Sequence, residues 1–384
     1  MKSPSSTAPF APATSTSSSK KVRYALIGLG HIAQTAIIPG FNQTTNSELA
    51  ALVSSDNTKL RILKKRHPEV RTFTDDELQG CLQDPKIDAV YIALPNDMHR
   101  ACALQAARAG KHILCEKPLA LDAREASEMV RTAAAHKVKL MTAYRLHFEP
   151  ANLASLALIR SGRLGDPRHF SSTFSYQITD RDNIRLQAAR GGGPVYDIGT
   201  YCINAARMLM EDEPIEVSAF LARNEDARFD EVEETASVML RFPRGRLASF
   251  VVSFGADTTS RYEFVCTKGR VVLDPAYEYS DGLQQTVTID GKKETRHFPH
   301  VGQFGGEIEA FSHAILNDRK IEPSGEEGVA DARVIDAIFQ SATTGRAIRL
   351  APTAKVERPT LRQEKRKPAA PEPRTVHADA PYTN

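Results

Sequence analysis

The feature that most constrains the fold is a glycine-rich turn near the start of the chain. Residues 22–27 are an apolar strand candidate and lead directly into Gly28-Leu-Gly30-His-Ile-Ala33, after which residues 34–38 can be helical. This is the GxGxxA form of the dinucleotide fingerprint, in the strand–turn–helix context that it requires. Gly28 would permit the tight turn, Gly30 would let a pyrophosphate approach the backbone, and Ala33 would let the helix pack closely. The alternative is a glycine-rich turn in another α/β protein.

Strand and helix patterns alternate as far as residue 143. The expected strands lie at 22–27, 49–53, 71–73, 88–93, 112–115 and 139–143, and the expected helices at 57–66, 75–81, 97–109 and 122–135. Such alternation predicts a doubly wound parallel sheet, here a Rossmann domain over residues 20–143.

Longer β patterns follow, and they predict a second domain over residues 144–350. Apolar residues alternate in 235–242 and 247–254, with Pro243-Arg-Gly245 as a hairpin turn between the two strands. Further strands are expected at 215–222, 261–266, 270–273 and 285–290, and helices at 150–160, 195–210, 303–317 and 325–343. We therefore expect an α+β domain on a large, mostly antiparallel open sheet. Its second face is weakly polar, which favours a homodimer or homotetramer.

Composition narrows the partners and the compartment. The net charge of the 384 residues is only +3, and basic and acidic residues are interleaved, which argues against nucleic acid. No apolar run approaches the roughly 18 residues of a membrane span. The five cysteines are far apart and the histidines form no ligand motif, so we expect no metal and a reduced, cytoplasmic protein. Residues 1–19 have the composition of a flexible arm without a secretory signal, and residues 351–384 that of a mobile tail.

The end of the second strand bears on the choice of cofactor. NAD sites normally carry an acid there for the ribose 2′-hydroxyl, whereas this chain has Ser54-Ser55-Asp56 followed by Lys59. Hydroxyls and a cation suit a 2′-phosphate, so we expect NADP. In the competing interpretation Asp56 reaches the ribose and the cofactor is NAD.

Two further segments contain candidate catalytic residues. Lys117 follows a buried strand and precedes Pro118, so it would project, restrained, into the crevice at the sheet edge. Asp197 and Tyr201 are four apart in a predicted helix and would share one face. The alternatives are a surface Lys-Pro turn, a first-turn acid and a core aromatic.

Taken together, the motifs resemble those of the Gfo/Idh/MocA oxidoreductases, most closely the glucose-fructose oxidoreductase branch. The resemblance covers roughly residues 20–350 and rests on the following motifs: Gly28-Leu-Gly30-His-Ile-Ala33, Leu94-Pro95-Asn96, Glu116-Lys117-Pro118, Tyr144-Arg145-Leu-His147, Gly191-Gly-Gly-Pro-Val-Tyr-Asp197-Ile-Gly-Thr-Tyr201 and Gly325-Glu-Glu-Gly328. It implies a Rossmann domain, an open-sheet domain used in oligomerisation, and hydride transfer at a sugar or cyclitol carbon with NAD(P).

The resemblance also implies roles for individual residues. Lys117 matches the family's catalytic lysine, and Asp197 and Tyr201 match its DxxxY arrangement, with Tyr201 as the acid–base group. Inositol dehydrogenases usually have histidine at position 201, which argues against a cyclitol substrate. Ile184 stands where a tryptophan is common, which weakens any expectation of unusually tight cofactor retention.

The complete expected site follows from the motifs and the resemblance together. The cofactor-binding set is Gly28, Leu29, Gly30, His31, Ile32, Ser54, Ser55, Lys59, Leu94, Pro95, Asn96, His99, Glu116, Lys117, Arg145 and Arg185. The substrate-binding set is Lys117, Arg145, His147, Asp197 and Tyr201. For His99 and His147, an ordinary polar role near a strand end is the alternative.

The expected function is NADP-dependent hydride transfer to or from a sugar. A keto-sugar reductase of the same family is the first alternative, since hydride transfer is reversible. The second is a non-catalytic dinucleotide sensor, which would be expected to lose the lysine or the phenol; both are present here.

Overall fold

The structure is a computed structural model that describes residues 20–353, 357–371, 373–378 and 380. The arm expected at 1–19 lies outside the described residues. The first sheet is parallel, with strand order β3-β2-β1-β4-β5-β6. Its strands are β1 Val22–Ile27, β2 Ser47–Val53, β3 Arg71–Phe73, β4 Ala89–Ile92, β5 His112–Glu116 and β6 Leu140–Ala143. The doubly wound prediction is confirmed.

The helices of this half are α1 Ile38–Phe41, α2 Asn57–Arg66, α3 Leu78–Gln83, α4 Asn96–Arg108 and α5 Ala123–Ala135. A π-helical turn, Ala33–Ile37, precedes α1. Asp56 and Asp122 cap α2 and α5, because each accepts hydrogen bonds from backbone N–H groups of the first turn. The strand order reverses between β1 and β4, so a crevice opens at their carboxyl ends.

The second sheet has nine strands among the described residues, in the order β14-β13-β12-β11-β7-β10-β9-β8-β15. The strands are β7 Pro167–Ser175, β8 Glu216–Ala222, β9 Thr235–Phe242, β10 Arg246–Ser253, β11 Thr259–Cys266, β12 Gly269–Leu273, β13 Leu283–Ile289, β14 Lys292–Phe298 and β15 Ile348–Arg349. Only β7 and β10 pair in parallel, so the prediction of a mostly antiparallel sheet is confirmed. The sequence did not predict β14, because an exposed edge strand of charged residues has no apolar alternation.

Four more helices complete the described fold: α6 Pro150–Arg160, α7 Thr200–Met210, α8 Gln303–Leu316 and α9 Gly325–Thr344. Helices α6, α7 and α9 share a core with the inner face of the second sheet. Helix α8 packs on the first sheet instead, where Phe304, Ile308 and Phe311 join the core around Tyr24. Among the described residues, no helix combines the length and the apolar character needed to cross a membrane.

The described part of the C-terminal segment differs from the expected mobile tail. Arg358 is buried and forms ion pairs with Glu213 and Glu327. Val376 is also buried and exchanges backbone hydrogen bonds with the Gln34 side chain. The scarcity of large apolar residues predicts a mobile tail here. The contacts that hold the segment are ion pairs and single buried side chains, which a count of apolar residues does not detect.

Candidate active site

A cavity of about 1580 Å³ opens between the carboxyl edge of the parallel sheet and the second domain. It exceeds the roughly 300–1,000 Å³ of an ordinary ligand pocket, which leaves room for a cofactor and a substrate together. Of the expected site residues, those that line it are Gly28, Leu29, Gly30, His31, Ile32, Ser54, Ser55, Lys59, Leu94, Pro95, Asn96, Glu116, Lys117, Arg145, Arg185, Asp197 and Tyr201. His99 and His147 do not.

The glycine-rich turn fits a dinucleotide. Gly28 has φ +93°, and a Cβ there would lie 2.4 Å from the carbonyl oxygen of Ala93 on the neighbouring strand. At Gly30 a Cβ would meet no atom within 4 Å, so the backbone faces open space on the cavity side. That opening is where a pyrophosphate can approach backbone N–H groups.

We call the part of the cavity lined by Ser54, Ser55 and Lys59 the adenosine end. Beside it, both carboxylate oxygens of Asp56 make hydrogen bonds within the protein. Its Oδ1 accepts hydrogen bonds from Thr58 N at 2.8 Å and Lys59 N at 3.0 Å, and its Oδ2 lies 2.8 Å from Nδ1 of His377. The backbone N–H of Lys59 is the main cause of a lowered pKa of this carboxyl group. Asp56 is therefore a helix cap in this structure, which leaves Ser54, Ser55 and Lys59 to face a ribose substituent.

We call the part of the cavity lined by Lys117, Arg145, Asp197 and Tyr201 the reactive end. Lys117 follows β5 and is joined to Pro118 by a cis peptide bond. Its Nζ donates to Oδ1 of Asp197 at 3.0 Å and to the Asp197 carbonyl oxygen at 2.8 Å. Burial lowers the pKa of Lys117, but Asp197, Tyr201 and Glu116 together outweigh it, and the net direction is upward. The lysine is therefore held as the ammonium ion.

Asp197 is fixed by more than the lysine. Its Oδ2 accepts hydrogen bonds from Tyr176 OH at 2.7 Å and Arg185 Nε at 2.8 Å. Burial raises the pKa of Asp197, yet Lys117 and Arg185 together hold it well below its usual range. Two roles are open to Asp197: it could orient the sugar, or it could hold Lys117 charged and in place. The contacts support the second role, because both of its carboxylate oxygens are used within the protein.

Tyr201 lies beside two cations. Its ring centroid is 4.7 Å from Lys117 Nζ and 4.9 Å from Arg145 Cζ. Arg145 is itself buried and donates to Gln303 Oε1 at 2.6 Å and to the Tyr277 carbonyl oxygen. Two positive charges thus lie close to a phenol that would become negative on losing its proton.

A carboxyl pair lies behind this cluster. Tyr91 OH is 2.9 Å from Oε1 of Glu116 and 2.6 Å from Oε1 of Glu307. A phenol has one proton and can donate to one acceptor, so the other contact requires a protonated carboxyl group. Glu307 fits that state, because burial raises its pKa and its Oε2 is buried without a partner among the described residues.

Two expected ligands are corrected. His99 is buried, with ring nitrogens 2.9 Å from the carbonyl oxygens of Pro118 and Leu94, so it ties two strand-end loops together instead of meeting the cofactor. His147 is also buried, 2.5 Å from Glu322 Oε1 and 2.7 Å from Asn204 Oδ1, and it does not line the cavity. A histidine near a strand end looks the same in sequence whether it faces the crevice or the core.

The sequence also missed two residues that the fold brings to the cavity, Tyr176 and His377. Tyr176 comes just after β7 and belongs to no motif, and His377 lies in a segment read as mobile. Their proximity to Asp197 and Asp56 depends on contacts across more than one element, for which the linear sequence carries no signal.

Comparison with known proteins places this geometry in a family. The N-terminal domain, residues 22–144, matches the oxidoreductase family with an NAD-binding Rossmann fold, and residues 154–272 match the GFO/IDH/MocA C-terminal domain. A D-xylose 1-dehydrogenase [NADP(+)] of Haloarcula marismortui is 30% identical over 87% of this chain and 95% of its own length.

Two solved structures share the fold over most of the chain. The aldose-aldose oxidoreductase from Caulobacter crescentus, complexed with glycerol, is 35% identical, with a TM-score of 0.82 over 86% of this chain and 100% of its own. A 3-ketoreductase from Actinomadura kijaniata, in complex with NADP and TDP-benzene, is 26% identical, with a TM-score of 0.77 over 84% and 98%.

Proposed function

Because the chain belongs to the GFO/IDH/MocA oxidoreductase family, we propose that it transfers hydride between NADP(H) and a carbon of a sugar. The observation that carries the proposal is the cluster of Lys117, Asp197, Tyr201 and Arg145 at the edge of a dinucleotide-sized cavity. The D-xylose dehydrogenase and the aldose-aldose oxidoreductase support a sugar as the substrate.

NADP, when bound, supplies the hydride acceptor or donor. The protein moves the accompanying proton: the Tyr201 phenolate accepts it from the sugar hydroxyl during oxidation, and the phenol returns it during reduction. Lys117 and Arg145 stabilise the negative charge on the Tyr201 oxygen, and Lys117 can donate a hydrogen bond to the reacting oxygen. Asp197 keeps Lys117 charged and in place, with Tyr176 and Arg185 holding Asp197 in turn.

The choice of NADP rests on the adenosine end. Ser54, Ser55 and Lys59 line the cavity there, whereas Asp56 is committed to the start of α2. A 2′-phosphate is matched by hydroxyl and ammonium donors. The NADP(+) dependence of the xylose dehydrogenase and the NADP bound to the 3-ketoreductase point the same way.

A keto-sugar reductase is the second candidate, and the 3-ketoreductase relative favours it. The same residues would serve, with Tyr201 donating its proton instead of accepting one. The non-catalytic sensor has less support, because the lysine, the carboxylate and the phenol are all present and in contact.

The test is a panel of aldoses and ketoses assayed in both directions, with NADP(H) and NAD(H) in parallel. Oxidation of an aldose with NADP supports the proposal, and reduction of a ketose alone supports the second candidate. A chain that binds NADP but turns over no sugar in either direction would contradict both.

We further propose a homodimer or homotetramer formed through the outer face of the second sheet. Apolar side chains stand exposed on this face at Phe220, Met239, Leu247 and Val251, with Phe220 77% exposed. An apolar patch of this kind is typical of protein interfaces. Light scattering at micromolar concentration should give a multiple of 42.2 kDa. Phe220→Asp with Met239→Asp should reduce that mass to one chain, and a parent that is already monomeric would refute the interface.

The compartment proposed is the cytoplasm. The five cysteines are free and buried, as expected of thiols in a reducing environment. Fractionation of cells expressing the full chain, followed by immunodetection, tests this placement.

A further inference from the structure

The C-terminal segment crosses the adenosine end of the cavity. Val376 N donates to Gln34 Oε1 at 2.8 Å, and Gln34 Nε2 donates to the Val376 carbonyl oxygen at 2.9 Å. Gln34 is buried just after the dinucleotide turn, and its Nε2 also donates to the carbonyl oxygen of Leu29 in that turn. The segment is therefore tied by a paired amide contact to the loop expected to hold the pyrophosphate.

A second tie fixes the segment to helix α2. The guanidinium of Arg66 donates to the Arg374 carbonyl oxygen at 2.6 Å. Directly after these two attachments, His377 contacts Asp56, where β2 gives way to α2. His377 and Ala378 line the cavity that Ser54, Ser55 and Lys59 also line.

His377 is oriented by Asp56. Its Nδ1 lies 2.8 Å from Oδ2 of Asp56, and because a carboxylate only accepts, Nδ1 carries the hydrogen. Nε2 makes no hydrogen bond to another described residue. The backbone of His377 has φ +46°, a conformation that side chains seldom adopt, so the chain turns sharply there.

We propose that residues 373–378 form the outer wall of the adenosine end and that His377 Nε2 binds the 2′-phosphate beside Ser54, Ser55 and Lys59. The proposal rests on the proposed NADP function. With a carboxylate on Nδ1 and a phosphate on Nε2, both ring nitrogens donate, and the bound ring is the imidazolium. Asp56 thus contributes to the choice of NADP indirectly, because its hydrogen bond to Nδ1 orients the His377 ring so that Nε2 faces the 2′-phosphate.

The experiment compares dissociation constants for NADP and NAD in full-length variants. His377→Ala removes the phosphate contact together with the hydrogen bond to Asp56 Oδ2, and it should weaken NADP binding by about tenfold, as loss of one exposed charge-assisted hydrogen bond to the ligand does. Binding of NAD, which has no 2′-phosphate, should change by less than about twofold. His377→Arg should restore most of the NADP affinity, and His136→Ala, at an exposed histidine that ends α5, is the matched control.

The wall itself is tested by a chain that ends at Pro371, which keeps the buried Arg358. This shortened chain should bind both NADP and NAD less tightly, because the wall faces the adenosine moiety that the two dinucleotides share. In the intact chain, hydrogen exchange should show the Val376 amide protected further by NADP, a measurement that does not depend on the truncated chain folding.

Unchanged NADP affinity in His377→Ala would overturn the phosphate contact, and equal losses for NADP and NAD would overturn it as well. Unchanged affinities in the shortened chain, or unaltered exchange at Val376, would overturn the wall. A parent that binds neither dinucleotide would overturn the proposed function itself, which separates that failure from failure of this inference.

Discussion

At the reactive end of the cavity, Lys117 and Asp197 keep 10% and 18% of their side chains exposed, whereas at the adenosine end Asp56 and His377 keep 28% and 60%. Breaking a buried ion pair leaves an uncompensated charge and costs about 3–5 kcal/mol, but an exposed pair contributes about 0–1 kcal/mol. Substitutions at the reactive end should therefore alter rate and stability together. Those at the adenosine end should alter affinity and cofactor choice with little change in folding.

The largest effect is expected for Lys117→Ala. It removes the cation beside Tyr201 and leaves Asp197 with only Arg185 and Tyr176 as partners. We expect kcat to fall by at least roughly 10²–10⁴, the range for loss of acid–base assistance, and the protein to lose stability. Absorbance of NADPH gives kcat and thermal unfolding gives stability. The exposed Lys86→Ala is the control, and near-parent turnover in Lys117→Ala would remove the lysine from the mechanism.

Tyr201→Phe should separate proton transfer from folding at the same end. The ring stays beside Lys117 and Arg145, so packing is kept while the proposed acid–base hydroxyl is lost. We expect kcat to fall by roughly 10²–10⁴ and the dissociation constant for NADP to stay near that of the parent. Tyr196→Phe is the matched control, since its hydroxyl donates to the Leu121 carbonyl oxygen outside the cavity. Parent-like turnover in Tyr201→Phe would transfer the proton role to Lys117.

Features set by local sequence patterns could be predicted, whereas features set by contacts between distant residues could not. The glycine turn, the alternation of strands and helices, and Lys117 at the end of β5 follow from local patterns, and the fold that they predict was confirmed. The direction in which a side chain points was not predictable: His99 and His147 sit near strand ends yet turn into the core. The contact of Asp56 Oδ2 is with His377, 321 positions away in sequence, and local patterns carry no trace of such a contact.

Ser54→Asp combined with Lys59→Ala tests the adenosine end. An acid in place of a hydroxyl, with the ammonium removed, repels a 2′-phosphate and can accept from a ribose hydroxyl. We expect the ratio of kcat/KM for NADP to that for NAD to fall by about 10- to 100-fold, as two charge-assisted contacts are lost, with unfolding nearly unchanged. Lys65→Ala, exposed on the same helix, is the control. A parent that already prefers NAD would contradict the assignment, and loss of NAD use in Asp56→Ala would favour the alternative ligand.

The smallest effect, reckoned per pH unit, concerns the proton shared behind the reactive end by Glu116, Tyr91 and Glu307. Burial, followed by the charge of Glu116, raises the pKa of Glu307 well above its ordinary value. An acid with a raised pKa in the folded state stabilises the fold when protonated, and this contribution is lost as pH rises above the unfolded value of about 4.3. Relative to Glu307→Gln, the parent should therefore lose stability between about pH 5 and pH 8, by no more than about 1.4 kcal/mol per pH unit.

Glu309→Gln, two residues further along α8, is the matched control for this prediction. Burial raises the pKa of Glu309, but Lys367 and Lys365 lower it further, and the net direction is downward. A lowered pKa stabilises the fold above the unfolded value of about 4.3 and loses that contribution only as pH falls, so this variant should differ from the parent by a constant amount between about pH 5 and pH 8. Denaturant unfolding at several pH values measures both differences. A flat difference for Glu307→Gln as well would mean that the carboxyl pair holds no extra proton, and Tyr91 would then face two carboxylates with a single hydrogen to offer.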